Sequence, residues 1–255
     1  MVDLSTRLFA PPALVLAVHG TRSAEGTAVN HALRDTVAAA LPGVRVELGW
    51  VDLHTPPLVD TLRELGPAVV VPVFLAPGYH VRHDIPAAIT AAGGRAVVTE
   101  LVGPCLVPAL VGRLAETDGP ADAVVLAAAG SRWPKAVAAV ERAAAELQAL
   151  IRRPVVAGFV TAAQPSVSEA VARLRGQGHG RVTIASWLLA PGEFARRLLD
   201  AGADAVTAPL GIHPILIETI LTLYREAETP TLDQGQKIGW IGSPEPARTR
   251  EEAIR

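Results

Sequence analysis

The sequence predicts an α/β protein of two similar lobes, each a doubly wound parallel sheet of the flavodoxin or Rossmann type, related by internal duplication. The first observation is an alternation of short, continuously apolar runs with Ala/Leu/Arg segments of helical period. This alternation is typical of a parallel sheet covered on both faces. The second observation is that the pattern restarts, because "AVVLAAAGSR" (123–132) repeats "LVLAVHGTR" (14–22).

The elements of the first half alternate between strand and helix. Apolar, β-branched runs predict strands, and segments of helical period predict helices. Strands are predicted at 13–20, 44–51, 68–75 and 96–102, and helices at about 24–41, 56–65, 84–92 and 106–116. This order is the βαβ rhythm of a parallel sheet.

The second half repeats two further pieces of the first. The stretch "GWVDLHTPPL" (49–58) is matched by "GFVTAAQPSV" (158–167). In the same way "VFLAPG" (73–78) is matched by "WLLAPG" (187–192). Small shifts in spacing between the copies are what loops of different length would produce.

These matches predict the domain boundaries. We expect an N-terminal lobe over 1–117 and a C-terminal lobe over 122–226, joined by the linker "ETDGPAD" (116–122). From 227 to 255 the chain loses apolar periodicity and fills with Pro, Gly and charge, so we expect a tail without chemistry.

Composition excludes several classes of protein. Although 50% of the residues are hydrophobic, Gly, Pro or charge interrupts every apolar run well short of the ~20 residues of a membrane span. A net charge of −2 gives no basic field for nucleic acid. The single cysteine, Cys105, excludes an intramolecular disulfide, and no signal-like segment opens the chain. We therefore expect a reducing, cytoplasmic setting, without nucleic-acid or membrane partners.

Three candidate ligands leave three strands of the first half. His19 ends the first strand, Asp52 ends the second, and His80 follows the third. Because the carboxyl ends of parallel strands form one edge of a sheet, we expect these side chains to converge. Two neutral imidazoles and a carboxylate suit an exchangeable divalent metal such as Fe, Co, Ni or Zn.

The neighbouring polar residues have several interpretations. His83 and Asp84, one turn beyond His80, would be secondary ligands, proton carriers or partners of the first histidine. For Asp84 the favoured interpretation is an N-cap ahead of Ile85-Pro86. Asp52 alone would also serve as a negative charge near a helix N-terminus.

The other histidines are interpreted as structural. His31 lies on a polar helix face, His179 in the turn "GQGHG" and His213 in "GIHP" before a helix. His54, two residues past Asp52, faces the same edge of the sheet or is a loop histidine, and the loop histidine is the favoured interpretation.

The second copy acts as an internal control for the candidate ligands. Ala129 stands where His19 stands, Thr161 where Asp52 stands, and Glu193-Phe194 where Tyr79-His80 stand. If the ligands served the fold, both copies would need them. Their presence in one copy favours function in the first lobe, with the second lobe as the wall of a cleft.

Two other kinds of chemistry are not predicted. The sequence has no GxGxxG and no GxxxxGK[ST], so "HGTR" after the first strand does not indicate a nucleotide site. Ser131 in "AAGSR" lacks the GxSxG pattern of a hydrolase elbow and has no evident base.

These motifs resemble the sirohydrochlorin chelatase family, the class II tetrapyrrole chelatases, in its double-length, two-lobed form. The resemblance covers about 13–226 and rests on "HGTR" (19–22), "GWVDLHTPPL" (49–58) and above all "VPVFLAPGYHVRHDIP" (71–86). It implies chelatase-like lobes, of which the first carries the metal site and the second has lost its histidines.

The resemblance also implies roles for individual residues. His19 and His80 become the metal-handling pair, and Asp52 stands where family members commonly have a glutamate. Because aspartate is one methylene shorter, direct ligation, ligation through water and proton acceptance all remain open for Asp52. His83 matches a histidine of the same motif and is the weaker metal ligand.

The implied activity is insertion of Fe²⁺ for siroheme, or Co²⁺ for cobalamin, into sirohydrochlorin without ATP. No permanent cofactor is expected, since the divalent ion, Ni²⁺ included, is a substrate. Arg22, Arg82 and Gly78 are the predicted substrate-binding residues, because arginine binds carboxylates and sirohydrochlorin carries several. One chain already supplies a two-walled cleft, which favours a monomer.

Two alternatives stay open from the sequence. The first is a metal or tetrapyrrole carrier that uses the same cleft without turnover. The second is metal-assisted hydrolysis, which is less favoured because the sequence has neither HExxH nor a two-metal carboxylate cluster.

Overall fold

The computed structural model describes residues 11–228, which form two parallel sheets flanked by helices. The predicted fold class is therefore confirmed. Within this range the strands are β1 (Ala13–Val18), β2 (Val46–Trp50), β3 (Ala68–Pro72), β4 (Ala96–Val98), β5 (Ala123–Ala128), β6 (Val155–Phe159), β7 (Val182–Trp187) and β8 (Ala205–Val206). The α-helices are α1 (Ala24–Ala40), α2 (Leu58–Leu65), α3 (Ile85–Ala91), α4 (Val107–Ala115), α5 (Pro134–Ile151), α6 (Val167–Gly176), α7 (Glu193–Leu199) and α8 (Pro214–Glu228).

The two sheets have the same topology. The first has the strand order β2-β1-β3-β4 and the second β6-β5-β7-β8, and every pairing is parallel. In each lobe the first strand is central, because it pairs with the strands on both sides. The central strands are buried on both faces, which is why they are continuously apolar: Leu14–Val18 and Ala123–Leu126 are at most 1% exposed.

The duplication is visible in the backbone of both lobes. A Cβ added to Gly20 would lie 1.9 Å from the Asp52 carbonyl oxygen, and one added to Gly130 would lie 1.8 Å from that of Thr161. Glycine at both sites thus lets the first strand's exit approach the second strand's exit. The next residues, Leu53 and Ala162, share a left-handed backbone with φ of 64° and 60°.

The last helix of each half packs on the other half. Helix α4 contacts α5 and β7 of the second lobe, whereas α8 contacts β3 and α1 of the first. The Tyr224 hydroxyl on α8 donates a 2.8 Å hydrogen bond to the Pro12 carbonyl, and burial raises the pKa of Tyr224 to about 12. The Arg113 guanidinium on α4 donates to the Leu210 carbonyl at 2.7 Å.

This helix exchange joins the lobes through one core. A single cluster of buried residues runs from Leu14 and Leu16 of the first sheet through Leu110 to Leu126 of the second sheet and Leu216 of α8. Two smaller clusters lie on the opposite faces of the sheets, under α2 and α3 and under α6. The boundaries expected at 117 and 122 stay predictions, and the tail expected from 227 lies outside the described residues except for two residues that end α8.

None of the helices within 11–228 combines the length and the apolar character needed to cross a bilayer.

His213 gives the fold a pH dependence that can be measured. It precedes α8, its Nδ1 accepts a hydrogen bond from the Ile215 N–H, and burial and the nearby Arg113 lower its pKa from 6.5, against a smaller opposite effect of Glu116. As the pH falls, His213 is therefore protonated at a higher pH in the unfolded chain than in the folded chain. The contribution of neutral His213 to the free energy of unfolding is fully present above about pH 6.5. It is lost as the pH falls from there through the lower pKa that His213 has in the folded protein.

We expect His213→Asn, which keeps an acceptor for the Ile215 N–H, to reduce this acid-side loss of stability. The measurement is the free energy of unfolding in urea at pH 7.5 and 5.5 for both proteins. An equal change in the wild type and the variant would contradict the assignment.

Candidate metal centre

The exits of β1 and β2 lie against each other at the carboxyl edge of the first sheet. His19 directly follows β1 and is exposed, and the half-buried Asp52 lies two residues beyond β2. The close approach at Gly20 holds the two exits together, since any larger residue there would collide with the Asp52 carbonyl. The Asp52 carboxylate accepts a 2.9 Å hydrogen bond from the Leu53 N–H, which orients it.

The exit of β3 brings the second histidine. After "FLAPGY" the chain enters a π-helical turn, His80–Asp84, in which the Ile85 N–H donates to the His80 carbonyl. Within this turn His80 points back to β1, and its Nε2 lies 3.0 Å from the His19 Nε2. A π-helical turn of this kind is often found at functional sites.

The partners of the other ring nitrogens define the tautomers. The His19 Nδ1 lies 2.7 Å from the Gly20 carbonyl oxygen, and the His80 Nδ1 lies 2.5 Å from the Asp84 carboxylate. Both oxygens can only accept, so in each neutral ring Nδ1 carries the hydrogen. With the hydrogen on Nδ1 in both rings, each Nε2 keeps a lone pair that can bind a metal ion.

The geometry fits a metal ion held by three residues. Ligand atoms of His19, Asp52 and His80 all lie within 4.8 Å of one another. Two nitrogens that each bind a metal at about 2.1 Å in adjacent positions of an octahedron are separated by about 3.0 Å, which is the observed distance between the Nε2 atoms. The predicted convergence of the three strand exits is thus found, and three ligand atoms are fewer than the six positions of an octahedron.

Asp84 differs from the favoured interpretation of the sequence. It has helical backbone angles (φ −74°, ψ −42°) and makes no side-chain cap hydrogen bond. Because the π-helical turn continues into α3, there is no free helix end at Asp84 to cap. Its carboxylate instead holds the His80 ring, so the partner interpretation was right and the cap interpretation was wrong.

His54 contacts the turn that follows His19. Its Nε2 lies 2.5 Å from the Thr21 carbonyl, just after His19-Gly20, and its ring packs on Trp50 with a centroid distance of 4.5 Å. The His54 ring thereby connects the turn after β2 to the turn after β1. In the sequence, the one indication that His54 lies near this edge of the sheet is its position two residues beyond Asp52.

His83 lies apart from the three ligands. It is exposed and stacks on Tyr79, with a ring centroid distance of 4.7 Å. Among residues 11–228, the one group with metal-binding geometry is made of His19, Asp52 and His80. The weaker ligand role expected for His83 stays a prediction.

The residues expected to bind substrate lie around the centre in different settings. Arg22 is exposed at the start of the chain segment that leads into α1, and Gly78 is half-buried with open space where a side chain would be. The Arg82 guanidinium is placed 4.1 Å from the centre of the Trp133 ring in the second lobe. The substrate roles of these three residues stay predictions.

The second lobe faces the centre without contributing a ligand to it. A Cβ on Gly26 of α1 would lie 2.7 Å from the Pro191 carbonyl, in the turn after β7. The turn after β7 in the second lobe is therefore in contact with the start of α1 in the first. Fold and site together define a two-lobed α/β protein in which His19, Asp52 and His80 form a His-His-carboxylate group at the edge of the first sheet.

Comparison with known proteins identifies the family. The CbiX family model matches residues 13–115 and again 123–227, which together make up most of the chain. The chain belongs to the CbiX family, and the resemblance to sirohydrochlorin chelatases is confirmed. A curated sirohydrochlorin cobaltochelatase of Methanococcus maripaludis is 34% identical over 79 residues, which are 29% of this chain and 55% of that protein. The chain thus spans about half the length of this curated relative.

Solved structures of low sequence identity have the same two-lobed fold. SirB from Bacillus subtilis with Fe³⁺ matches with a TM-score of 0.70 and 23% identity, covering 85% of this chain and 96% of that one. The structure of CbiX, described as the terminal enzyme of siroheme biosynthesis in denitrifying bacteria, matches with a TM-score of 0.63 and 20% identity over 85% and 99%. At these identities the likeness concerns the fold.

Proposed function

We propose that this protein is a sirohydrochlorin chelatase that inserts a divalent metal ion into the macrocycle without ATP. The observation that carries the proposal is the pair of Nε2 atoms of His19 and His80, 3.0 Å apart and within 4.8 Å of the Asp52 carboxylate, in a chain of this family. The name of the curated relative supports the substrate.

The site has the two properties that metal insertion requires. The metal-free macrocycle exchanges two pyrrole N–H protons for one M²⁺, so the metal must be bound weakly enough to be released and a base must be near. Neutral imidazoles with one carboxylate and no thiolate make an exchangeable site. The Asp52 carboxylate, half-buried next to both histidines, is the proposed proton acceptor.

We propose that Fe²⁺ and Co²⁺ are both substrates and that Ni²⁺ is also accepted. Imidazole and carboxylate ligands bind all three ions, and selection among such ions depends on geometry and metal availability more than on raw affinity. SirB has been solved with Fe³⁺ and with cobalt, which agrees with a tolerant site in this fold. A cytoplasmic setting and a monomeric state remain predictions.

The test is anaerobic incubation of the pure protein with sirohydrochlorin and Co²⁺ or Fe²⁺, followed by visible absorption. We expect insertion faster than the spontaneous reaction, with many turnovers per protein molecule. A protein that binds metal or macrocycle in a one-to-one ratio and gives no acceleration would be a carrier, and the proposal would be wrong.

A further inference from the structure

The residue that precedes α5 is a poor N-cap, whereas its counterpart in the first lobe is a good one. In the first lobe Ser23 caps α1, and its Oγ accepts a hydrogen bond from the Gly26 N–H at 3.2 Å. In the second lobe the same place is taken by Trp133, which makes no side-chain cap hydrogen bond. Tryptophan is a poor substitute for serine at an N-cap, so α5 is less stable than it would be with serine.

One hydrogen bond of this turn is the same in both lobes. The Ser23 N–H donates to the Thr21 Oγ1 at 3.1 Å, and the Trp133 N–H donates to the Ser131 Oγ at 3.1 Å. The copies differ at the capping side chain and at the first helical residue, where Pro134 takes the place of Ala24, while this hydrogen bond is kept. A poor capping residue in a turn that keeps its hydrogen bond points to a function for the new side chain.

The Trp133 ring makes one of the contacts between the two lobes, through a residue close in sequence to His80. Arg82, two residues beyond His80, places its guanidinium 4.1 Å from the ring centroid. The Lys135 ammonium lies 5.9 Å from the same centroid. The half-buried indole therefore has a cation from each lobe near its ring, and Arg82, the cation of the first lobe, is within one helical turn of His80 in the chain.

An aromatic face with two cations suits one class of ligand, a flat conjugated molecule with carboxylates at its rim. The ring offers stacking area, and the guanidinium and ammonium groups offer charge-assisted hydrogen bonds. Neither cation on this ring has a carboxylate partner among the ion pairs within 11–228. Such a ligand would exchange the cation–π contact for an ion pair.

We propose that Trp133, with Arg82 and Lys135 on its ring, is the second-lobe part of the macrocycle-binding site. In the free protein the indole holds Arg82 beside the centre. On binding, the guanidinium and Lys135 take carboxylates of the macrocycle, and the freed ring packs against its edge. This inference rests on the proposed function for the identity of the macrocycle and goes beyond it in naming the residues of the second wall.

The decisive variant is Trp133→Ser, which restores the capping residue of the first lobe. We expect it to unfold at the same or a higher temperature than the wild type and to bind metal-free sirohydrochlorin about tenfold more weakly. The binding of Co²⁺ alone should change less than twofold. Trp133→Phe, which keeps a ring, should lose less sirohydrochlorin affinity than Trp133→Ser. Leu199→Ala, at an exposed residue of α7, is the matched surface control.

The outcomes separate this inference from the proposed function. If the wild type inserts metal and Trp133→Ser binds sirohydrochlorin as the wild type does, the inference is wrong and the function stands. If Trp133→Ser loses stability together with affinity, Trp133 is structural and the inference is also wrong. If the wild type binds sirohydrochlorin without inserting metal, and only Trp133→Ser loses that binding, the inference stands and the function fails.

Discussion

Replacing His80 with alanine is expected to lower kcat/KM for metal insertion by more than about 100-fold, because loss of a ligand costs more than the 10- to 100-fold loss of an outer partner. The variant leaves the His19 Nε2 without the nitrogen that lies 3.0 Å away. His19→Ala should have the same effect, and the double variant should be little worse than either. The measurement is the initial rate of Co²⁺ insertion under anaerobic conditions.

The matched control is His179→Ala, which removes a histidine from a turn of the second lobe and should leave the rate within about twofold. His83→Ala tests the remaining predicted ligand. Since His83 stacks on Tyr79 outside the three-residue group, we expect a much smaller loss than for His80→Ala. Equal losses in His83→Ala and His80→Ala would place His83 among the ligands and contradict the assignment.

Asp84→Ala is expected to reduce the insertion rate by about 10- to 100-fold, because the His80 ring would lose the group that fixes its tautomer and orientation. Asp84→Asn should retain more activity, since its amide oxygen still accepts a hydrogen bond from the His80 Nδ1–H. The readouts are the insertion rate, the affinity for Co²⁺ alone and the temperature of unfolding.

These readouts separate the two interpretations of Asp84. A capping residue would contribute about 1 kcal/mol to stability and nothing specific to metal binding. We expect the reverse, which is weaker Co²⁺ binding with little change in the unfolding temperature. Loss of stability at unchanged Co²⁺ affinity would restore the cap interpretation.

The sequence was sufficient for the architecture because the central strands β1 and β5 and their neighbour β3 are continuously apolar and helical segments alternate with them. The short, valine-rich runs that contain Val69–Val71 and Val124–Leu126 favour strands buried on both faces, and parallel strands bring their exits to one edge. The convergence of His19, Asp52 and His80 follows from that rule alone. The loss of all three in the second copy indicated which lobe carries them.

The features that could not be predicted depend on which neighbour a helix or a side chain contacts in three dimensions. The apolar face of α4 shows that it is buried but not which sheet covers it, so the helix exchange has no signature in the sequence. The order Asp-Ile-Pro indicated a cap at Asp84, because nothing in the letters shows a π-helical turn running into α3. In the same way, Arg82 carries no sign that it reaches Trp133.

The exchange of α4 and α8 also sets the order in which the chain can be completed during synthesis. Residues 68–72 of β3 leave the ribosome long before α8, which begins at Pro214 and covers one side of them. Until α8 is made, the part of the first sheet that this helix covers stays exposed to water. The first lobe is therefore translated first but reaches its complete packing only when α8 has been made.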